Sequence, residues 1–266
     1  MSAIASQGWV KDLLKKCLKQ QYVSINKSID GVLYADSYPL ILTKNITVYV
    51  DYDNGSDITG DGSSAKPFQT WDYVNTLLPK NMGGNSISLY IKGTNFVTNK
   101  THLIFKGFNN GFFQLYPQNT PTFYRISISN CKCFYILSNC NFTLTAETTQ
   151  WIAPLTIYDG SVVSISAPAI TITCVNNYYR SGIYVHMGGM CIIQSECTLT
   201  TNNCTYALRC YCGDMHLRGI WKGTGNYAKA AAWNGVITYA NVGNYAACNG
   251  VTETFSGGQV RTTNVW

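Results

Sequence analysis

Charged side chains are scarce in this 266-residue sequence: they make up 12% of it, against roughly 25% in ordinary globular chains. Intrinsic disorder is excluded, because it goes with low hydrophobicity and high net charge, whereas 46% of these residues are hydrophobic. The long charged residues that favour helices are few, while Tyr, Asn, Thr and Gly, which suit strands and turns, are abundant. The composition therefore predicts an all-β fold.

Acidic residues nearly disappear after the first quarter of the chain. Eight of the thirteen acids lie within residues 1–72, and only five follow, against twelve Lys and Arg. These basic residues are scattered singly and do not form the stripe that binds nucleic acid, so no nucleic-acid partner is expected. The mildly basic surface is compatible with an anionic bacterial glycan as partner but does not require one.

Two further absences concern membranes and export. No apolar run approaches the roughly 18 residues that a membrane span needs, and no apolar signal-peptide region follows the start of the chain. Synthesis in a reducing cytosol is therefore expected. The eleven cysteines are odd in number and lack zinc-ligand spacing, so they are expected to act as small buried hydrophobic residues.

The sequence divides into three parts. Residues 1–42 contain an amphipathic helix over 8–22, which either packs on its own domain or serves in assembly. Residues 43–118 predict a strand, an Asp- and Gly-rich turn region, a short helix with Thr70 as N-cap, and a second strand. Residues 119–266 change to very short strands separated by Asn, Gly and Ser.

A unit of β run, small corner residue and second β run recurs in the last part. An upstream copy over 134–144 places Asn139 near the same corner, and Asn is the next-best residue after Gly for a left-handed conformation. Repeats of this length predict coils that stack to share one core, so a parallel β-helix is favoured over a β-sandwich. The four clearest copies are 155–165, 183–193, 207–217 and 236–247, with corner glycines Gly160, Gly188, Gly213 and Gly243 at spacings of 28, 25 and 30 residues.

A motif near the start of the chain carries a family resemblance. Residues 49–57 (YVDYDNGSD), then 60–62 (GDG), 63–68 (SSAKPF) and 70–71 (TW), resemble the opening of pectin-lyase-like β-helix proteins, especially tail fibres and tailspikes of bacteriophages and prophages. The resemblance covers about residues 47–95. Over 119–266 it is one of general β-helix character.

The resemblance implies several properties of the whole molecule. These are a right-handed parallel β-helix, a first coil capped by the helix at 71–78, and a homotrimer that attaches to a host surface. Some members of the family also degrade surface polysaccharide. A segment that attaches to other tail or virion proteins would occupy residues 1–42, residues 43–118 would open and cap the β-helix, and residues 119–266 would form its body with a C-terminal cap.

Few carboxylates are available for glycoside hydrolysis, which needs two that face each other. Asp159 and Asp214 flank equivalent corners of the repeat, although one precedes its glycine and the other follows it. They lie two repeats apart, so about 10 Å separates them at the ~4.8 Å spacing of strands. Glu196 is a third candidate, and each of the three is equally explained as a solvated corner or edge charge.

A polysaccharide lyase would instead need a proton-abstracting base and a cation. His186 with Asp159 is one such grouping, and coil alignment places His186 level with Tyr158 and Tyr211. The same alignment is also explained by a plain surface ladder, and Gly-x-Ser-x-Gly, phosphate-loop and His-Glu-x-x-His motifs are absent. The second grouping is His216 with Arg209, Arg218 and Asp214.

The acidic turn region invites a calcium hypothesis, since hard cations prefer clustered oxygen ligands. Asp51, Asp53, Asp57 and Asp61, together with Asn54, supply such oxygens, but the EF-hand pattern fails. Asx-turns explain the same residues. No cofactor is therefore expected, with calcium as the alternative.

Glycan binding needs exposed aromatic rings and small polar groups. Tyr178 and Tyr179 lie in a loop between strands, and Trp151, Trp221 and Trp233 lie near turns. All five are candidates for stacking on sugar rings, and packing at coil corners or between subunits explains each of them as well.

The expected function is that of a phage tail fibre or spike protein, located in the virion and made in the host cytoplasm, that binds a bacterial surface glycan during host attachment. The expectation leans against an enzyme. One alternative is a polysaccharide depolymerase, either a hydrolase or a lyase, and another is a purely architectural virion connector.

Overall fold

The computed structural model describes residues 29–35, 38–147, 153–175, 181–239, 248 and 250–262. These residues are nearly all β, as the composition predicts. Two strands, β1 (Val32–Ala35) and β2 (Tyr38–Leu42), pair as an antiparallel hairpin. The one helix among the described residues is α1 (Trp71–Leu77).

The other strands form three parallel sheets, here called sheets I, II and III. Sheet I contains β3 (Ile46–Asp51), β4 (Ser86–Lys92), β6 (Phe112–Pro117), β9 (Phe134–Leu137), β12 (Val162–Ser166), β15 (Met190–Ile193), β18 (Asp214–Leu217), β21 (Val236–Tyr239) and β23 (Gln259–Thr262). Sheet II contains β5 (His102–Lys106), β8 (Arg125–Ser129), β11 (Leu155–Tyr158), β14 (Ser181–His186), β17 (Tyr206–Tyr211), β20 (Ala228–Trp233) and β22 (Val251–Phe255). Sheet III contains β7 (Thr122–Phe123), β10 (Phe142–Glu147), β13 (Ala169–Val175), β16 (Thr198–Asn202) and β19 (Ile220–Lys222).

The chain winds through these sheets as a solenoid. From β6 onward it visits sheets I, III and II in turn, and each strand pairs in parallel with the strands one coil before and one coil after it. The result is a parallel β-solenoid of about six turns. The predicted parallel β-helix is thereby confirmed at the level of its architecture, and the β-sandwich alternative is wrong.

One continuous core fills the solenoid, because the strand pairing stacks inward side chains directly on each other. On sheet II the buried inward row shrinks along the axis from Phe105 of β5 to Ala232 of β20. In these last coils the indole of Trp221 on sheet III is also buried. The buried row is Phe105, Ile128, Ile157, Val185, Cys210 and Ala232.

The cysteines behave largely as the sequence predicts, as small hydrophobic residues of this core. Cys191, Cys197 and Cys210 are buried and have free thiols. Burial raises the pKa of the Cys197 and Cys210 thiols to about 12, so they stay neutral and unreactive at physiological pH. Cys212 is the contrasting case, since it lies exposed at a corner.

The corner between sheet II and sheet I has a repeated backbone conformation. The residue that follows each sheet II strand from β8 onward is left-handed, with φ between 46° and 53°, although none of these residues is glycine. Asn and Asp tolerate this conformation better than other side chains. The residues are Asn130, Asp159, Met187, Cys212, Asn234 and Ser256.

The corners correct part of the repeat alignment. The copy over 134–144 is shifted, because the left-handed residue of that coil is Asn130 and Asn139 follows a sheet I strand instead. The fourth corner is Asn234–Gly235, since 236–239 already belongs to sheet I, and Gly243 lies outside the described residues. The alignment chose the wrong glycine because Asn234-Gly235 and Val242-Gly243 both fit a repeat with a glycine at its corner.

Residues 43–118 contain the predicted strand, turn region, short helix and second strand. Thr70 is the N-cap of α1 and its Oγ1 accepts a hydrogen bond from the Tyr73 amide at 3.2 Å. The helix buries Trp71, Val74 and Leu77, and the Trp71 ring lies 4.5 Å from that of Phe105 in the first coil of sheet II. No helix in the described part of the chain is long and apolar enough to cross a bilayer.

The part of residues 1–42 that the structure describes contains strands. β1 and β2 pair antiparallel, and Val32, Tyr34, Tyr38 and Ile41 are residues that favour strands. The Tyr34 hydroxyl ties this hairpin to α1 by donating to the Leu77 carbonyl at 2.9 Å. The amphipathic segment 8–22 lies outside the described residues.

Truncating one inward side chain tests the shared core. We expect Ile157→Ala to lower the free energy of unfolding by about 2–5 kcal/mol, because the fully buried site cannot collapse around the cavity. Ile104→Ala is the matched control, since this isoleucine is 42% exposed on the outer face of the same sheet, and we expect less than about 1 kcal/mol. Urea unfolding followed by circular dichroism measures both, and equal losses would contradict the shared-core description.

Candidate functional site

Three tyrosines stack on the outer face of sheet I. Tyr49, Tyr90 and Tyr116 occupy the same register position on β3, β4 and β6. Their ring centroids are 4.9 and 4.6 Å apart, with interplanar angles of 17° and 8°. We call these three residues the tyrosine row.

The row arises from strand alternation. Each tyrosine lies between two buried neighbours whose side chains point into the core, as in Leu89 and Ile91 around Tyr90, so its own side chain points outward. In-register pairing then places one ring on each rung, at the ~4.8 Å spacing of paired strands. Offset stacking between such rings is favourable, which stabilises the row.

A groove of about 220 Å³ runs beside the tyrosine row, and we call it the tyrosine groove. Tyr49 and Tyr90 line it together with residues that supply amide, hydroxyl and ammonium groups and a proline ring. Concave sites with flat apolar surface and a few polar groups are typical ligand sites. The other lining residues are Val50, Ser64, Pro67, Lys92, Gln118 and Asn119.

The charged end of the groove is fixed by an ion pair. Lys92 Nζ lies 2.9 Å from Asp51 Oδ2, and the Asp51 side chain is only 5% exposed. Burial alone would raise the pKa of Asp51, but hydrogen bonds from Lys92 and from the Asn54 and Asp53 amides together hold this pKa below its usual value. Lys92 is therefore held in position beside the tyrosine rings while 43% of its side chain remains exposed.

The predicted calcium ligands mainly hold turns together. Asp51 Oδ1 accepts from the Asp53 and Asn54 amides, each at 3.1 Å. Asp57 Oδ1 accepts from the Thr70 amide at 3.0 Å, and Asp61 Oδ1 accepts from the Ser63 amide at 2.9 Å. The contacts of Asp51 and Asp61 are the local turn contacts of the alternative explanation, whereas Asp57 joins the turn region to the start of α1. Across the described residues, His, Cys, Asp and Glu side chains do not gather in a group of three or more that could hold a metal ion.

Asp53, like Asp51 with Lys92, reaches across to the next coil. Its Oδ1 accepts hydrogen bonds from both the amide and the hydroxyl of Thr94, each at 3.1 Å. The acidic turn region is thereby fastened to the segment that follows β4.

A second set of rings lies on the outer face of sheet II. Tyr158, His186, Tyr211 and Trp233 share one register position, as the coil alignment predicts for the first three. The Tyr158 and His186 ring centroids are 5.2 Å apart, and Tyr211 is 44% exposed. We call these four residues the mixed row.

A buried guanidinium supports the mixed row. Arg209 is 9% exposed, and its Cζ lies 4.9 Å from the ring centroids of both Tyr184 and Trp233. Cation–π contacts of this kind are strengthened when the cation is desolvated.

The structure separates the candidate carboxylates. Asp159 is the left-handed corner residue after β11, whereas Asp214 is the first residue of β18, two coils further along. Asp159 Oδ2 accepts a hydrogen bond from Ser129 Oγ at 2.7 Å. Glu196 accepts hydrogen bonds from the Ser166 and Ser195 hydroxyls, which lower its pKa. The register therefore does not place Asp159 and Asp214 opposite each other.

The histidine groupings are also divided. His216 lies on sheet I, where its Nδ1 is 2.6 Å from Thr238 Oγ1, whereas Arg209 lies on sheet II. The expectation that His216 and Arg209 lie on one face of the solenoid is therefore wrong. His186 and Asp159 remain neighbours: burial lowers the pKa of His186 and the nearby carboxylate opposes that shift.

The predicted aromatic binding residues have different outcomes. Trp221 is 1% exposed and its Nε1 donates to Thr201 Oγ1 at 3.1 Å, so its assignment to a glycan surface is wrong. Trp221 occupies an inward position, paired with Leu199. Its nearness to a turn in the sequence does not reveal that its side chain points inward. Trp151, Tyr178 and Tyr179 lie outside the described residues.

Sequence reasoning missed the tyrosine row, although a signal for it is present. Each of the strands ITVYVD, SISLYIK and FFQLYP has a tyrosine between two residues that point into the core. Aligning these three strands with each other would have found the row.

No family model, curated protein or solved structure matches the chain.

The outer face of sheet II also contains a buried polar pair near its first coils. His102 Nε2 lies 2.7 Å from Ser127 Oγ. Burial, and to a lesser extent the nearby Arg125, lowers the pKa of His102 to about 4. The neutral imidazole is thus the form that fits the folded chain.

This shift predicts a pH-dependent stability. Because the folded pKa of about 4 lies below the ordinary value of 6.5, the contribution of His102 is fully present above pH 6.5 and is lost as the pH falls towards 4. We expect the wild-type protein to lose about 2 kcal/mol more than His102→Gln between pH 7 and 4.5. Urea unfolding at both pH values measures this, and parallel losses in the two proteins would refute it.

Proposed function

We propose that this chain is a bacteriophage tail protein that attaches to a bacterial surface by binding a glycan in the tyrosine groove. The observation that carries the proposal is the combination, in one groove, of Tyr49 and Tyr90 with hydroxyl, amide and ammonium groups. A sugar ring has an apolar face of C–H groups and a rim of hydroxyls. It therefore needs both kinds of surface at once.

The length of the tyrosine row favours a chain of sugars over a single ring. Tyr49 and Tyr116 are two rungs apart, which corresponds to about 10 Å along the axis. Gln118 and Asn119 extend the lining beyond Tyr90 on the side of the third rung. Lys92, held by its ion pair with Asp51, adds a fixed hydrogen-bond donor for sugar hydroxyls.

Assignment to a phage tail rests on the opening motif. The segment that resembles tailspike and tail-fibre proteins surrounds the groove, since Ser64 and Pro67 of that segment line it. In this proposal the solenoid is right-handed, α1 caps its first coil, residues 1–42 attach to other tail or virion proteins, and three copies form the working unit. The protein would be made in the host cytoplasm and located in the virion.

Glycan cleavage is the less supported function. The geometry separates Asp159 from Asp214 by two coils, about 10 Å at the spacing of paired strands, which is far wider than retaining hydrolysis uses and lies at the upper limit for inverting hydrolysis. A purely architectural connector has no need of an open groove lined by aromatic and polar side chains. Binding without cleavage is therefore the function that we propose.

Glycan binding is tested by removing the central ring. We expect Tyr90→Ala to weaken binding to the cognate surface polysaccharide at least about tenfold, because the stacking surface is interrupted. Tyr227→Ala is the matched control, since this tyrosine is 67% exposed on another part of the solenoid, and its binding should equal wild type. Titration calorimetry with polysaccharides purified from a panel of bacteria gives the affinities.

A second variant separates binding from folding. Gln118→Ala leaves the tyrosine row in place, and we expect it to weaken binding without a change in melting temperature. Binding of no polysaccharide and of no labelled bacterial cell would refute the proposal, as would equal affinities of all variants. Release of oligosaccharides during the titration would assign the depolymerase function instead.

The proposed trimer is tested by measuring the molar mass of the protein in solution. We expect light scattering on the full chain to give three times the chain mass of 29.4 kDa, because closed symmetric assembly protects exposed sheet surfaces. A mass equal to one chain at micromolar concentration would contradict a trimeric tail protein, and would leave glycan binding by the groove to be judged by the titrations.

A further inference from the structure

Two buried thiols face each other between neighbouring coils of the solenoid. Cys174 Sγ lies 3.4 Å from Cys204 Sγ, and both residues are at most 2% exposed. Cys174 belongs to β13, and Cys204 follows β16, the strand that pairs with β13 in the next coil. The two sulfurs therefore span one coil-to-coil step.

The surroundings hold both side chains in place. Cys204 donates its amide proton to Asn226 Oδ1 at 3.1 Å, and the Asn226 side chain in turn donates to the Thr201 carbonyl at 2.9 Å. Cys174 Sγ also lies 3.7 Å from the Ser181 carbonyl. Cys204 Sγ itself lies 3.4 Å from the Asn202 carbonyl, so each thiol contacts a carbonyl of its own coil.

We propose that Cys174 and Cys204 are a latent disulfide that joins two successive coils when the protein leaves a reducing compartment. A disulfide sulfur pair is ~2.05 Å apart, so the two sulfurs must approach by about 1.4 Å. Rotation about the two Cα–Cβ bonds can supply much of that movement, since the side chains already point at each other. The inference is independent of glycan binding and does not rest on the proposed function.

The chemistry balances with a small-molecule disulfide such as oxidised glutathione as the oxidant. One cysteine thiolate attacks this disulfide, which releases one molecule of thiol and leaves a mixed disulfide on the protein. The second cysteine thiolate then attacks the protein sulfur of that mixed disulfide and releases the second thiol. Both protons from the cysteines end on the released thiols, and the two electrons lost by the pair reduce the glutathione disulfide.

Burial sets the conditions of the reaction. The contact with Cys174 and desolvation both raise the pKa of Cys204, so the thiolate is rare in the closed fold. The exchange therefore proceeds when this corner opens transiently, and the same burial protects the disulfide from reduction once it has formed.

The experiment uses the full chain purified under reducing conditions. The protein is incubated with oxidised glutathione at temperatures rising towards its unfolding transition, then denatured, alkylated and digested. We expect mass spectrometry to detect a peptide pair crosslinked through Cys174 and Cys204. Cys212, which is exposed, should be modified first and reports that the oxidant is active.

Stability gives a second readout. Closing a loop of 30 residues should raise the melting temperature of the oxidised protein by about 5–10 °C over the reduced protein. We expect Cys174→Ser and Cys204→Ser each to abolish this rise, and Cys133→Ser, a half-buried cysteine outside the pair, to retain it.

The possible outcomes are distinguishable. Alkylated Cys174 and Cys204 in a sample whose Cys212 carries glutathione would overturn the proposal. A crosslink from Cys204 to Cys248 instead would also overturn it. A Cys174–Cys204 crosslink together with the raised melting temperature would support it, whatever the result of the glycan titrations.

Discussion

Parallel pairing in register between successive coils is the constraint on which the other features depend. Each strand satisfies its main-chain hydrogen bonds with the strands above and below it, so a residue's position in one coil determines which side chain lies next to it in the following coil. Inward positions thereby become rows of apolar side chains, and outward positions become rows on the surface. A shift of one residue in a single coil would exchange the two faces of that strand.

The same register also brings residues that are far apart in the chain together on the surface. The tyrosine row brings together residues from positions 49 to 116, and the mixed row does so from 158 to 233. A linear ligand that follows the solenoid axis meets the same type of group at each rung. This property suits recognition of a repetitive polymer, and a solenoid supplies it without any long loop.

Sequence reasoning predicted the architecture because it depends on periodicity. Strand length, small corner residues and the Thr70 cap are local signals, and they indicated stacked coils and a short helix correctly. The repeat phase failed at Asn139 and at 236–247, since a left-handed corner is open to Asn, Asp, Met, Cys and Ser as well as to Gly. The site was missed because an outward row depends on register between coils, and Trp221 was misassigned because its strand is only three residues long.

The shrinking inward row of sheet II gives the solenoid a polarity. Phe105 and Ala232 occupy corresponding places in β5 and β20, so early and late coils have inward side chains of different size. A duplicated early coil inserted late would overfill the interior, and a late coil moved forward would leave a void. Unlike consensus repeat proteins, whose modules can be exchanged, this chain would evolve in length by additions at its ends or by loops at its corners.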